Sequence, residues 1–135
     1  MKRLSIVAIL FVLSCSICSA SLLPSQALNQ AEQFIALIDN QEYQTAFSNS
    51  SLLLQTLTSR QEWIAERGRS VELLGSVQDR KLVAIKARSS YPGLPDGDYL
   101  IVYYEARTER KEKAAEVLLL SKNANLWSVC SYRLK

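Results

Sequence analysis

The sequence predicts an α+β fold in which N-terminal helices pack on a curved four-stranded antiparallel sheet, and three observations carry that expectation. Apolar residues recur at three- and four-residue spacing in the first half of the chain. After Gly75 the pattern becomes alternating or continuously apolar, with β-branched and aromatic enrichment. The links between the later apolar runs are short turns, which make sequential strands antiparallel neighbours.

From Ser25, which reads as an N-cap after Pro24, Leu28, Ala31, Phe34, Ile35 and Ile38 form one helical stripe that ends near Asp39 and Asn40. A second short helix carries Tyr43, Ala46 and Phe47, and the Ser/Asn cluster at 48–51 reads as a break. Ser59 and Glu62 have the spacing of a capping box ahead of Trp63 and Ile64, and Gly68 reads as the stop. Strands are expected at 77–89, 98–108, 114–122 and 125–134, divided by Pro92-Gly93, Pro95-Asp96-Gly97 and Asn123-Ala124-Asn125. On the second strand Leu100, Val102 and Tyr104 share one face and Tyr99, Ile101 and Tyr103 the other.

The first twenty residues read as a secretory signal peptide: Lys2 and Arg3, an apolar run over 4–13 broken only by Ser5, then small residues closing at Ser19-Ala20. Serines and cysteines from Ser14 onward interrupt the run short of the roughly 20 apolar residues that a transmembrane helix needs. Cleavage is expected at Ala20/Ser21, leaving one domain over 21–135. The competing reading is a lipoprotein cut before Cys15, which alone would bring the body to a membrane. The expected location is thus exported, periplasmic or secreted, or lipid-anchored to a bacterial membrane.

Removal of the leader changes the charge balance. Of 16 basic residues Lys2 and Arg3 are lost, leaving fourteen against 13 acidic ones, which is no electrostatic footprint for nucleic acid. Cys15 and Cys18 leave as well, so Cys130 has no internal partner and the core must hold the fold without disulfides. A mature body of about 115 residues is long enough for one core.

Trp63 and Arg67, Leu74-Gly75-Ser76-Val77 with Arg80, the run from Tyr91 to Tyr99, Glu116-Val117, and Trp127 with Tyr132 together resemble the bacterial exported family catalogued as domain of unknown function 4019. The likeness spans about residues 29–134. It departs at Ser131, where the family has glycine before the tyrosine. The resemblance implies a small exported α+β domain and no established activity. The layout is also similar to the cone-shaped folds of the cystatin and nuclear transport factor two kinds, which host enzymes, binders and adaptors alike.

Candidate site residues are few. The chain has no histidine, which removes Ser–His and Cys–His nucleophile systems and the commonest zinc ligand. Asp96 and Asp98 flank Gly97 as turn residues without calcium-loop spacing. No catalytic residue, metal ligand or cofactor site is therefore assigned, and Cys130 reads as a small buried core residue. Arg80 and Glu116 stand in otherwise apolar strands, so they should form an internal ion pair or the polar floor of a pocket, which Tyr103 and Trp127 could line. The tract 107–113 reads as a solvated hairpin tip. The expected role is a noncatalytic envelope module that binds a protein or small ligand through the sheet's concave face, where the helices leave an open mouth. The alternative is a small cone-fold enzyme in which a carboxylate such as Asp39 and a tyrosine transfer a proton inside a closed apolar cavity.

Overall fold

The structure, a computed structural model, describes residues 25–135; the leader, the Ala20/Ser21 junction and Cys15 lie outside the described residues. Helix α1 (Ser25–Asp39) buries Ala31, Phe34 and Ile35 of the expected stripe, with Leu28 and Ile38 partly buried against the same core and Ala27 buried in addition. Its end is a Schellman turn. Gln41, at φ 59°, donates its N–H to the Ile38 carbonyl while Glu42 donates to Leu37. Helix α2 (Tyr43–Ser48) turns Ala46 and Phe47 inward.

The break at 48–51 is present, but a further short helix that the sequence reading left out, α3 (Leu52–Leu57), follows it. Ser51 caps α3 by accepting from the Leu54 N–H, and the Gln55 side-chain amide donates back to the carbonyls of Phe47 and Ser50. Helix α4 (Arg60–Leu74) starts with the expected capping box between Ser59 and Glu62. It does not stop at Gly68. The helix runs on to Leu74 and ends at Gly75, whose φ of 74° and ψ of −177° make it the true terminator. A mid-helix glycine costs only about 1 kcal/mol, and the row Trp63, Arg67, Val71 and Leu74 continues on one side of the helix, which outweighs it.

A Cβ on Gly68 would meet nothing within 4 Å. Gly68→Ala is therefore expected to stabilise the protein by about 0.5–1 kcal/mol, read as a higher urea midpoint with unchanged slope. An unchanged or lower midpoint would show that another requirement acts at this position.

Strands β1 (Val77–Arg88), β2 (Tyr99–Thr108), β3 (Ala114–Asn123) and β4 (Leu126–Leu134) form an antiparallel sheet in the order β1-β2-β3-β4. Their ends differ from the sequence reading by a residue or so, within the ordinary uncertainty of element ends. Helices followed by this sheet establish the α+β class. The helices pack on one face, where Phe34, Trp63, Leu100, Val102, Leu118 and Leu120 join one cluster of buried residues. Phe34, Trp63 and Tyr132 form its aromatic centre, with ring centroids 5.9–6.5 Å apart.

The opposite face, called here the open face, has a smaller cluster of Tyr99, Ile101, Leu119 and Cys130. Leu94 of the 89–98 loop packs against it, and the Tyr99 hydroxyl donates to the Pro95 carbonyl, so this loop folds over one end of the open face. Both sheet edges are protected. At β4, Ser51 donates its N–H to the Val129 carbonyl, and β1 carries two register shifts and the exposed Lys81, Lys86 and Arg88.

The charged tract does form the β2–β3 tip, but it is not simply solvated. Glu109 N–H donates to the Ser76 carbonyl and its carboxylate accepts from the Ser76 N–H. Arg110 N–H donates to the Leu74 carbonyl and its guanidinium to that of Glu72. The tip thereby satisfies the carbonyls left over at the end of α4 and places a cation at the negative end of the helix.

Candidate functional site

Arg80 stands on the helix-side face of β1, opposite Ala106. Its Nε and Nη2 donate to Glu116 at 2.8 and 3.1 Å, and Nη1 and Nη2 donate to Asp39 at 2.7 and 2.9 Å. One guanidinium thus holds two carboxylates in fork geometry, tying the end of α1 to β1 and β3. Asp39 needs such a partner, because a carboxylate on the last residue of a helix opposes the dipole. Glu116 has no solvent exposure at all, and its second oxygen accepts from the Tyr132 hydroxyl at 2.8 Å. Burial opposes the charge on Arg80, yet its two carboxylates more than offset this and its proton is held more tightly than usual. Burial first, then the Glu116 charge, pushes the Tyr132 phenol well above its ordinary range.

A cavity of about 50 Å³ borders this network, lined in part by Ile38, Asp39, Gln41, Ser76 and Tyr132. That space admits a water or two and no organic substrate. Asp39 is bidentately paired with Arg80 and partly exposed, which is not the closed apolar setting that proton transfer by a raised carboxyl would require.

Beside the network lies Arg67, which the sequence reading quoted only as a landmark of the resemblance. It is 3% exposed, with its guanidinium carbon 4.6 Å from the Trp63 ring centre and 5.0 Å from that of Tyr132. Its Nη2 meets Glu66 at 2.8 Å, while Nε and Nη1 have no acceptor among the described residues. The two aromatic faces take the place of the missing acceptors in part, since desolvated cation–π contacts reach about 2 kcal/mol. The signal available in the sequence was the four-residue step from Trp63, which puts Arg67 on the buried side of α4.

The other two candidates lie apart from this network and on opposite faces. Trp127, across from Lys122, joins the helix-side core with Lys122 Nζ 5.9 Å from its ring centre. Tyr103 lies on the open face, with Lys86 Nζ 5.3 Å from its ring centre. There Ile101, Tyr103, Val117 and Leu119 floor a trough of about 250 Å³ walled by Arg133 and Lys135.

By register the open face carries Lys81, Lys86, Arg88, Arg107, Arg133 and Lys135, against the carboxylates of Asp79 and Glu105. All eight are exposed, and none of the six cations has a salt bridge among the described residues. A chain of nearly balanced charge therefore gathers six cations on one face of its sheet, two of which, Arg133 and Lys135, wall the apolar depression. The alternation of charged and apolar residues was legible along each strand; their convergence depends on pairing register.

Cys130 is 2% exposed at the irregular step in β3–β4 pairing, and burial, partly opposed by the Ser121 hydroxyl, pushes its thiol up to about 11. A thiol reagent at pH 8 is expected to modify the folded protein about a hundredfold more slowly than the unfolded chain, from ionisation alone. Because the folded value is raised, this stabilisation is present below the unfolded value near 9.0 and is lost as pH rises to about 11. Equal labelling rates for folded and unfolded chain would refute the burial argument.

The family described as "Protein of unknown function (DUF4019)" matches residues 30–132, and the chain belongs to that family. No curated protein matches the chain.

Proposed function

Because membership of this family carries no activity with it, we propose from the site itself that the protein is an exported, noncatalytic binding or adaptor module of the cell envelope. The observation that supports this reading most is the trough on the open face, where a partner or small ligand finds an apolar floor walled by Arg133 and Lys135, neither of which has a salt bridge among the described residues. The helix-side interior supports it from the other direction. The cavity beside Arg80 has room for water alone, and Arg80 and Glu116 are occupied with each other and with Asp39 and Tyr132. No described helix is long and apolar enough to cross a membrane, and the export part of the reading rests on the leader pattern at 1–20.

Two measurements test it. The intact mass of protein recovered from the envelope should correspond to a chain beginning at Ser21. A lipid-modified product beginning at Cys15 would transfer the module to a membrane anchor, and an uncut chain in the cytosol would end the export reading. A photo-crosslinking side chain placed in turn at Tyr103, Val117, Gln33 and Leu73 should give a discrete adduct in the producing cells from at least one exposed face. Absence of adducts from every position would sink the binding-module reading.

A further inference from the structure

Resting on that reading, we infer that the open-face trough receives a segment of a partner protein in which an aliphatic or aromatic side chain is flanked by carboxylates. Three observations select this occupant. The first is charge complementarity: Arg133 and Lys135 line the depression and Lys86 lies over the Tyr103 ring of its floor, while the carboxylates of Asp79 and Glu105 stand away from it, across from Arg107 and Lys81. Cations left without partners in the free protein are a field that steers and orients an acidic ligand.

The second is shape. Ile101 and Leu119, at the bottom, are 7% and 4% exposed, so the apolar surface is recessed beneath its walls. A lipid surface requires apolar side chains that project into the acyl region, whereas a recess accepts a side chain from outside. At about 250 Å³ the trough falls below the roughly 300–1,000 Å³ of sites for drug-sized molecules, and suits one or two side chains.

The third is the chemistry of the lining. Apart from the basic walls, polar groups there are limited to the side chains of Ser131, Tyr91 and Tyr103. A polyhydroxylated ligand such as an anionic polysaccharide would leave hydroxyls without partners over Ile101, Val117 and Leu119, and each such loss weighs against binding. A peptide places its polar backbone along the rim and its apolar side chain on the floor. Lys86, already over the Tyr103 ring, and Arg133, opposite Val117, stand where flanking carboxylates would meet them.

The test uses the full chain as processed by its producing cells, labelled for amide NMR. The probe is a synthetic capped hexapeptide of two aspartates, leucine, phenylalanine and two further aspartates. Saturable shifts are expected at amides of 101–103, 115–119 and 131–135. Affinity should fall about tenfold or more in Lys86→Glu/Arg133→Glu, and likewise when salt is raised from about 0.02 M to about 0.5 M. Replacing leucine and phenylalanine by glycine should abolish the shifts, as should Val117→Asp, with the remaining spectrum unchanged as the control for folding.

The inference is overturned if the peptide produces no saturable shift in the trough, if the glycine peptide binds equally well, or if anionic phospholipid vesicles engage this face and the peptide does not. The crosslinking scan separates these failures from that of the parent reading. Adducts from Gln33 or Leu73 without any from Tyr103 or Val117 would keep a binding module and remove this trough as its site.

Discussion

Arg80→Met is expected to lower stability by about 3–5 kcal/mol, the usual cost of stranding one member of a buried pair. The reason is on the other side of the bond. Glu116 is fully buried, and without Arg80 it keeps only the Tyr132 hydroxyl. Asp39 is released at the same time and again opposes the α1 dipole. The measurement is urea unfolding, where such a loss moves the midpoint down by about 2 M at ordinary slopes. The double variant Arg80→Met/Glu116→Gln should recover a large part of the loss, because it removes the stranded charge and leaves Tyr132 an acceptor. A single-variant loss below about 1 kcal/mol would place this pair among ordinary surface ion pairs and break the argument.

Gly75→Ala is expected to cost about 3 kcal/mol, opposite in sign to the same substitution at Gly68. Gly75 occupies a region of backbone space that is almost closed to side chains, at φ 74° and ψ −177°. A Cβ there would also lie 2.6 Å from Glu109 Cβ and 2.4 Å from its Oε2. The tip would have to withdraw from the end of α4, breaking the exchanges between Glu109 and Ser76 and between Arg110 and Leu74. Amide hydrogen exchange at Ser76, Glu109 and Arg110 should therefore accelerate beyond the global change. A neutral result would mean that the clasp contributes nothing to folding.

How much of this was legible beforehand depended on the range of the interaction concerned. The α1 stripe, the Ser59–Glu62 cap and the strand alternation are set within a few residues, and they stand in the structure as read. Gly68 misled because two glycines lie in and after one helix, and the sequence does not say which must adopt positive φ. The terminator was fixed by Glu109, 34 positions away in the chain, whose approach leaves no room for a side chain at Gly75.

The site followed the same rule. Arg80 and Glu116 were visible as charges out of place in apolar strands, and they are brought together. That Asp39 completes the network, and that Tyr103 and Trp127 face opposite ways, depends on register and on how α1 crosses the sheet. Arg67 was overlooked because an arginine on a helix is ordinarily solvated; what makes this one unusual is Tyr132, contributed by the last strand.

The packing of α1 chiefly against β4 sets an order of events for a chain made from its first residue to its last. The three other strands can zip into successive hairpins as they emerge, yet the first helix must wait for residues 126–134 before Phe34 meets Tyr132. Until then the part of its oily stripe that the last strand covers is open to any holdase or to other nascent copies. A stop codon just ahead of the final ribbon would accordingly do far more harm than the loss of ten residues suggests, since it would take away the wall on which the oldest part of the molecule leans.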